Sequence, residues 1–369
     1  MKRAKEHRET ALSYLIPKYH FASMSFFREE PLVKWPYTKA VLFTAYDVYR
    51  SNDFWLHSLA RSGQTLKEGL IELGFPKTNS LVADTGIFEI EAKKAGLAEK
   101  LGIEINFELT NNQIFEAYEM SGADFFVSPD EIILATDEDK PKRAKIEEIK
   151  SNLLDILEIV PSEKVIGVIQ GVEEKYINDL FEFYRTHGVT KFAAGGILPL
   201  YRHDKDLFQQ VITYVRNLTR GYWLHTFGLP DVRLLPFYLQ EVRMDSIDTS
   251  MLLYMTARRR YLVGIHQRPV RLAAFEHCDC QGCATLNRQM YTRGTDFFVA
   301  LYIHNISEAS KVADECSKGK WAPKKDDNRI LKDESLERST AEPVYDEKPL
   351  KDKSYPDWTT AAVLFNDKE

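Results

Sequence analysis

Short apolar runs alternate along the chain with longer stretches in which apolar residues recur every three or four positions. The runs Ala40–Thr44, Ser80–Ala83, Asp124–Val127, Val165–Ile169, Lys191–Ala194, Tyr222–Thr226 and Met244–Ile247 have the length and composition of buried strands. Between them, Thr65–Leu73, Asn111–Met120, Ala144–Ile159, Glu173–Tyr184 and Asp206–Leu218 carry helical periodicity. In the third of these, Ile146, Ile149, Leu153, Ile156 and Leu157 fall on one helical face. Strand and helix in alternation on this scale predict a parallel β-sheet, either open or closed into a (β/α)8 barrel.

The residues after the strands favour the closed form. Ala83 is followed by Asp84-Thr-Gly, Val127 by Ser-Pro-Asp130-Glu131, Ile169 by Gln170-Gly171, Ala194 by Gly195-Gly196, Thr226 by Phe-Gly228, and Ile247 by Asp248-Thr-Ser. A (β/α)8 barrel turns all its strand ends to one mouth, where its active site lies. An open sheet places its ligand at a single switch point and does not need every strand to contribute. No Gly-x-Gly-x-x-Gly or Gly-rich Lys-Ser/Thr loop follows a strand, which argues against a dinucleotide or P-loop site.

Composition narrows the class. With 369 residues, 44% of them hydrophobic, the chain has material for one large core or two average ones. The start is charged, with no apolar signal region, and no stretch approaches the roughly 18 apolar residues of a membrane helix. The expected location is therefore the cytoplasm, with no membrane partner. The net charge of −6 does not call for nucleic acid, but its distribution is uneven. From Met251 to Phe275 there is no Asp or Glu, whereas Arg258, Arg259, Arg260, Arg268 and Arg271 are all there. Such a run is either a solvated surface or a phosphate-contacting one. From about Ser317 to the end, Lys, Asp, Glu and Pro dominate, which predicts a polar, partly disordered tail over 317–369, with Trp358–Phe365 as a piece that can dock back.

Three of the four cysteines, Cys278, Cys280 and Cys283, fall together, and His304 follows. Cys-x-Cys-x-x-Cys…His is a complete tetrahedral donor set for one structural zinc ion. A catalytic zinc needs an open position, which four protein ligands deny it. The ion is thus read as a staple of a lobe at about 258–313, appended to a barrel domain that runs from 1 to 316. His277 adjoins the set as a competing ligand, and a chance cluster of buried thiols is the weaker reading.

Asp84, Asp130 and Asp248 would share the mouth. A carboxylate can attack an anomeric carbon, a second can give and take a proton, and a third can accept two adjacent N–H groups of a ligand. Gln170 and the backbone near Gly195 and Gly196 can bind a carbonyl oxygen. Together these describe a guanine pocket, although strand-end Asp residues can also simply cap helices. Phe88, in the loop after Asp84, is placed either to stack on a base or to anchor its loop. His225, inside a predicted strand, reads as a packed, hydrogen-bonded histidine.

Seven short pieces, in order from about Lys39 to Ala313, resemble the tRNA-guanine transglycosylases. Asp84-Thr-Gly-Ile-Phe-Glu89 is similar to that family's Asp-Ser-Gly-Gly-Phe-Gln. Pro129-Asp130-Glu131 resembles Phe-Asp-Glu, Val168-Ile169-Gln170-Gly171 resembles Ile-Val-Gln-Gly, and Ala194-Gly195-Gly196-Ile197 resembles Ile-Gly-Gly-Leu. Leu224-His-Thr-Phe-Gly228 is similar to His-Leu-Met-Gly-Val-Gly, and Met244-Asp-Ser-Ile-Asp248 to Asp-Met-Phe-Asp. Thr249–Arg258 is closer to the archaeal variety, and the cysteine set with His304-Asn305 completes the series.

The resemblance implies a (β/α)8 barrel with a zinc lobe and an exchange of guanine for a 7-deazaguanine base at C1′ of a nucleotide. It makes Asp248 the nucleophile and Asp84 the general acid/base. Asp130, Gln170 and Gly196 would hold the base edge. The sequence departs from the family's pattern at Ile87, where Gly is usual, and at Glu89, where Gln is usual. The bacterial Pro-Thr-Arg run after the nucleophile is missing, and no archaeal RNA-binding domain is recognisable. The tRNA-reading parts are thus the least preserved. This favours the branch of the family that modifies DNA, with tRNA as the alternative substrate. A target in duplex DNA would have to leave the stack. A non-catalytic nucleic-acid-binding subunit and an unrelated barrel hydrolase are further alternatives. Retention of both Asp84 and Asp248 opposes the first, and the zinc spacing opposes the second. A homodimer or helper proteins would be compatible with the resemblance.

Overall fold

The structure, a computed structural model, describes residues 11–15, 40–45, 63–72, 75–87, 109–249, 251–270, 278–288 and 295–322. Seven parallel strands pair in chain order: β2 (Ala40–Thr44), β3 (Ser80–Asp84), β4 (Phe125–Val127), β5 (Val165–Ile169), β6 (Lys191–Ala194), β7 (Trp223–Thr226) and β8 (Ser246–Thr249). A further strand, β1 (Ala11–Leu15), pairs with both β8 and β2 and closes the ring. The architecture is a TIM-like α/β barrel.

β1 is absent from the predicted strands. Its run, Ala-Leu-Ser-Tyr-Leu, carries a weak local signal, and the pairing with β8 and β2 is what makes it a strand. The last predicted strand moves from 244–247 to 246–249. Met244 N–H donates to Tyr238 O at 2.9 Å and so ends the preceding helical turn, Phe237–Val242, rather than starting the strand. Asp248 consequently lies within β8 and not just beyond it.

Helices α1 (Leu66–Glu72), α2 (Asn111–Ser121), α3 (Asp139–Leu157), α4 (Glu174–Thr186), α5 (Leu198–His203) and α6 (Lys205–Leu218) connect the strands. α3 begins five residues before its predicted start at Ala144, because its first turn, Asp-Lys-Pro-Lys, is polar and carries no periodicity. Proline is tolerated there, where the backbone N–H has no helical partner. α2 starts at a capping box in which Thr110 Oγ1 accepts from Gln113 N–H and Gln113 Oε1 accepts from Thr110 N–H.

Side chains alternate along each strand and so divide into two apolar layers. Leu42, Val82, Val127, Ile166, Val168 and Ala193 fill the barrel interior. The opposite phase, including Phe43, Leu81, Phe126, Ile169, Phe192 and Ile247, packs outward against helix residues such as Leu70, Ile149, Leu180 and Ile212.

After β8 come α7 (Met251–Ala257), an antiparallel pair of strands β9 (Arg260–Val263) and β10 (His266–Pro269), then α8 (Gln281–Arg288) and α9 (Thr295–Ser317). One side of α9 joins the barrel's outer core through Tyr302, Ile306, Ala309 and Val312. Phe297, Ala300 and Leu301 join a separate small core with Tyr261, Val270, Cys280, Cys283 and Leu286. Beyond α9, Trp321 packs on the barrel side, and its carbonyl accepts from Gln240 Nε2 at 3.0 Å. The remainder of the predicted tail, with Trp358–Phe365, lies outside the described residues. No helix among the described residues is long and apolar enough to cross a membrane.

Two carboxylates brace the foot of the barrel in the same way. Asp124 accepts from Leu81 N–H at 2.8 Å and pairs with Lys67, tying β4 to β3 and α1. Asp245 accepts from Leu224 N–H at 2.9 Å and from Arg216 Nη1 at 2.9 Å, tying β8 to β7 and α6. Arg216 also donates to Thr219 O and Tyr222 O. Because Asp245 and Arg216 are both largely withdrawn from water, removing one strands the other. Asp245→Ala should lower the unfolding free energy by about 3 kcal/mol in urea denaturation. Arg216→Ala should cost less, since Asp245 keeps the Leu224 N–H; equal losses would contradict this arrangement.

Candidate active site and metal centre

The inward phase of the strands does not stop at the apolar interior. Two residues beyond Val82 it reaches Asp84, beyond Val168 Gln170, beyond Ala193 Gly195, and beyond Ser246 Asp248. Because the strands are parallel, these positions gather at one mouth. Asp130 is three residues beyond β4 and is drawn in by Gln170, whose Nε2 donates to Asp130 Oδ2 at 2.5 Å. β3, β4, β5 and β8 therefore each deliver a polar side chain to the same opening, and β6 delivers a glycine.

The three carboxylates sit in different surroundings. Asp248 is half-buried, and its Oδ1 accepts from Gly228 N–H at 2.7 Å and lies 3.2 Å from His225 Nε2. Asp84 is also half-buried, and its Oδ2 accepts from Gly86 N–H at 3.3 Å. Asp130 is buried. Burial pushes its carboxyl up to about 7; the hydrogen bond from Gln170 opposes that rise, and the charges of Asp84 and Glu131 add to it. Asp84 is thus near enough to Asp130 for the two charges to be felt together. They are felt at Tyr118 as well, whose phenol is raised first by burial, then by Asp84 and Asp130.

Gln170 is held by the backbone beneath it. A Cβ on Gly196 would come within 2.2 Å of Gln170 Oε1, and one on Gly195 within 2.5 Å of its Nε2. Only glycines let the amide lie flat there. Gly195 N–H donates to Ile169 O at 3.0 Å, so its amide is committed to the sheet. Gly196, at φ +67°, is left as the donor of the pair. Gln170 Oε1 is buried and has no hydrogen-bond partner among the described residues. An orphaned acceptor beside a protonatable carboxyl suits a flat ligand edge that carries N–H and C=O groups.

His225 and Gly228 complete the surroundings of Asp248, and neither stood out as part of a site in the sequence. His225 is packed and hydrogen-bonded, as its place in a strand predicts, but one of its bonds is to Asp248. The signal was available: Trp223, His225 and Phe227 continue the inward phase of β7. Phe88 lies outside the described residues, as do Glu89, Arg271 and His277.

The cysteines form a second centre. The ligand atoms of Cys278, Cys280, Cys283 and His304 all lie within 4.8 Å of one another. The three sulfurs are 3.5, 3.4 and 3.3 Å from His304 Nδ1. The S···N edge of a tetrahedron with metal–S of about 2.3 Å and metal–N of about 2.0 Å is about 3.5 Å. The donor set and its spacing therefore fit a metal ion. Around it, His304 Nε2 donates to Leu262 O at 2.8 Å, which leaves Nδ1 as the ligand nitrogen. The Tyr261 ring stacks on the His304 ring at 3.8 Å, and its hydroxyl is 3.3 Å from Cys283 Sγ. Gly282 lets α8 meet α9, since a Cβ there would fall 2.2 Å from Ala300 O. Asn305 Oδ1 accepts from Leu262 N–H, and its Nδ2 donates to Thr256 Oγ1 and Arg260 O. The pair His304-Asn305 thus ties the metal centre to β9 and α7.

The basic run is divided. Arg258 and Arg259 are exposed on the turn between α7 and β9. Arg260 and Arg268 are half-buried and fall on opposite faces of the two-stranded pair, because Arg268 is opposite Tyr261 and Arg260 opposite Pro269. Arg268 Nε is buried and without a hydrogen-bond partner among the described residues.

Fold and site together define a TIM-like barrel with an acidic mouth and a Cys3His cluster whose spacing fits a metal ion. No protein-family model matches the chain, and no curated protein matches it.

Asp130 holds its proton more readily in the folded protein than the usual carboxyl of about 3.9 does in an unfolded chain. Between the two values the folded state binds the extra proton, so this group's contribution to stability falls as pH rises from about 4 to about 7. Asp130→Asn should therefore melt above the unsubstituted protein at pH 8, with the gap closing towards pH 5; a gap that does not vary with pH would remove Asp130 as its source. At the metal centre, Cys280→Ser should lower both bound metal, measured by elemental analysis, and the melting temperature. Retention of both would remove Cys280 as a ligand of an ion that the lobe depends on.

Proposed function

We propose that the protein is a guanine transglycosylase that exchanges guanine in nucleic acid, with DNA favoured, for a 7-deazaguanine base. The observation that carries the reading is the set of carboxylates at one mouth. One is held by a single oxygen, one is buried beside a glutamine and a glycine amide, and one lies near enough to influence the second. The motif series from Asp84 to His304-Asn305 supports the same reading. In it, the barrel is a (β/α)8 barrel with an appended zinc lobe, and Cys278, Cys280, Cys283 and His304 hold one structural zinc ion.

Asp248 serves as the nucleophile. Its oxygen forms a bond to C1′ while the C1′–N9 bond breaks and the electron pair leaves with guanine. Asp84 delivers the proton that neutralises the departing base, then takes one from the incoming 7-deazaguanine. That base attacks C1′, the C1′–oxygen bond breaks, and Asp248 is restored. One glycosidic bond replaces another, so no redox or energy source is consumed. Asp130 accepts the ring N–H and exocyclic amine of the base. Gly196 N–H and the second Nε2 hydrogen of Gln170 donate to its carbonyl oxygen. The two N–H donors of a bound base favour the ionised form of Asp130, which is why a carboxyl poised near 7 suits the task.

DNA is favoured over tRNA because Thr249-Ser250 stands after Asp248 where the bacterial tRNA enzymes carry Pro-Thr-Arg. The exposed Arg258 and Arg259 would contact phosphates, where they act without regard to sequence.

Labelled guanine, offered with duplex DNA and bulk tRNA in parallel, should enter DNA. Asp248→Ala should abolish both the exchange and a denaturation-resistant protein–DNA adduct. Entry into tRNA alone would transfer the reading to tRNA. An adduct of unchanged yield in Asp248→Ala would remove Asp248 from its role.

A further inference from the structure

His225 has no part in the exchange as set out above, yet it touches the residue on which that exchange turns. It lies on β7, 3% exposed, and the strand register sets it opposite Ser246 on β8. Its Nδ1 is 3.0 Å from Ser246 Oγ, and its Nε2 is 3.2 Å from Asp248 Oδ1. An ionised carboxylate only accepts, so Nε2 carries the proton and donates; in the neutral ring Nδ1 then accepts from the Ser246 hydroxyl. The ring is also clamped by its strand neighbours. Trp223 stacks on it with 10° between the planes, and Phe227 meets it edge-on with centroids 4.8 Å apart. Gly228 N–H donates to the same Oδ1 at 2.7 Å. Both donors converge on one oxygen of Asp248, and no described residue hydrogen-bonds to the other.

We propose that His225 is a positioning residue for glycosyl transfer: with Gly228 it holds Asp248 by Oδ1, turns Oδ2 to the sugar and makes the carboxylate a better leaving group in the second half of the exchange. This rests on Asp248 being the nucleophile. When Oδ2 bonds to C1′ and the C1′–N9 electron pair departs with guanine, Oδ1 becomes the carbonyl oxygen of an ester and loses most of its charge. Donors on Oδ1 therefore stabilise the free carboxylate more than the ester. When the second base attacks, the C1′–Oδ2 bond breaks, its electron pair returns to the carboxylate, and the two hydrogen bonds recover their strength. Removing one donor shifts the balance between free enzyme and covalent adduct towards the adduct. A purely structural histidine would lower adduct and turnover together.

The test uses the full chain with a nucleic acid that it exchanges, at a fixed guanine concentration, and reads the ratio of adduct to free protein on a denaturing gel. His225→Leu should raise that ratio roughly tenfold, as expected for loss of a hydrogen bond to a charged group, and slow the release of adduct by added guanine. His225→Gln, whose amide nitrogen can stand where Nε2 does, should return the ratio most of the way. His225→Asn reaches towards Ser246 and not Asp248, so it should behave like the Leu variant, and it carries the comparison if that variant does not fold. An unchanged ratio in the Leu or Asn variant, or a Gln variant displaced as far as they are, overturns the role of His225 alone. Absence of any adduct in the unsubstituted protein, on DNA and on tRNA, overturns the glycosyl-transfer reading and this inference with it.

Discussion

A parallel sheet closed on itself sends the carboxyl end of every strand to the same side, and side chains alternate along each strand between the interior and the helices. These two constraints together determine where everything else lies. The inward positions are apolar at mid-barrel, with Leu42, Val82, Val127, Ile166, Val168 and Ala193. One step further along the same phase they become Asp84, Gln170, Gly195 and Asp248. A single slip of register would turn these groups outward among the helices. The foot of the barrel guards against such a slip. Asp124 and Asp245 each bind the backbone of the preceding strand and a cation on the helix that leads into that strand. The chemistry proposed for the mouth thus depends on ion pairs at the opposite end.

The three carboxylates show how one mouth can hold like charges without making them alike. Asp248 has two donors on one oxygen and stays half-exposed. Asp130 is buried against Gln170 and pushed up to about 7. Asp84 lies close enough to contribute to that rise. Environment, rather than residue type, separates the roles proposed for them: attack for one, proton transfer for another, and recognition of a ligand with adjacent N–H groups for the third.

The metal centre solves a different problem. Its small core, built on Tyr261, Val270, Cys280, Cys283, Leu286 and the first part of α9, offers little apolar area. A metal ion bound by the four ligands would supply cohesion that such a core lacks. α9 would carry that rigidity to the barrel, because its other side belongs to the barrel's outer core. Tyr261 and Asn305 are the links, one stacked on the ligand His304 and the other bonded to both α7 and β9.

The sequence alone determined the alternation of strand and helix, the polar residues at the strand ends and the donor set of the metal centre. Each of these is local: an apolar run, a periodic stretch, or three thiols close together and a histidine on the next long helix. What it left undecided depends on partners distant in the chain. Ala11–Leu15 becomes a strand only through β2 and β8, and β8 begins at Ser246 only because Met244 is engaged by Tyr238. The polar first turn of α3 has no periodicity to read. Gly195 and Gly196 look equivalent until the sheet takes the amide of one of them. His225 reads as a packed residue, and it is one; that its ring reaches Asp248 follows from the register of β7 against β8, which only closure of the barrel sets.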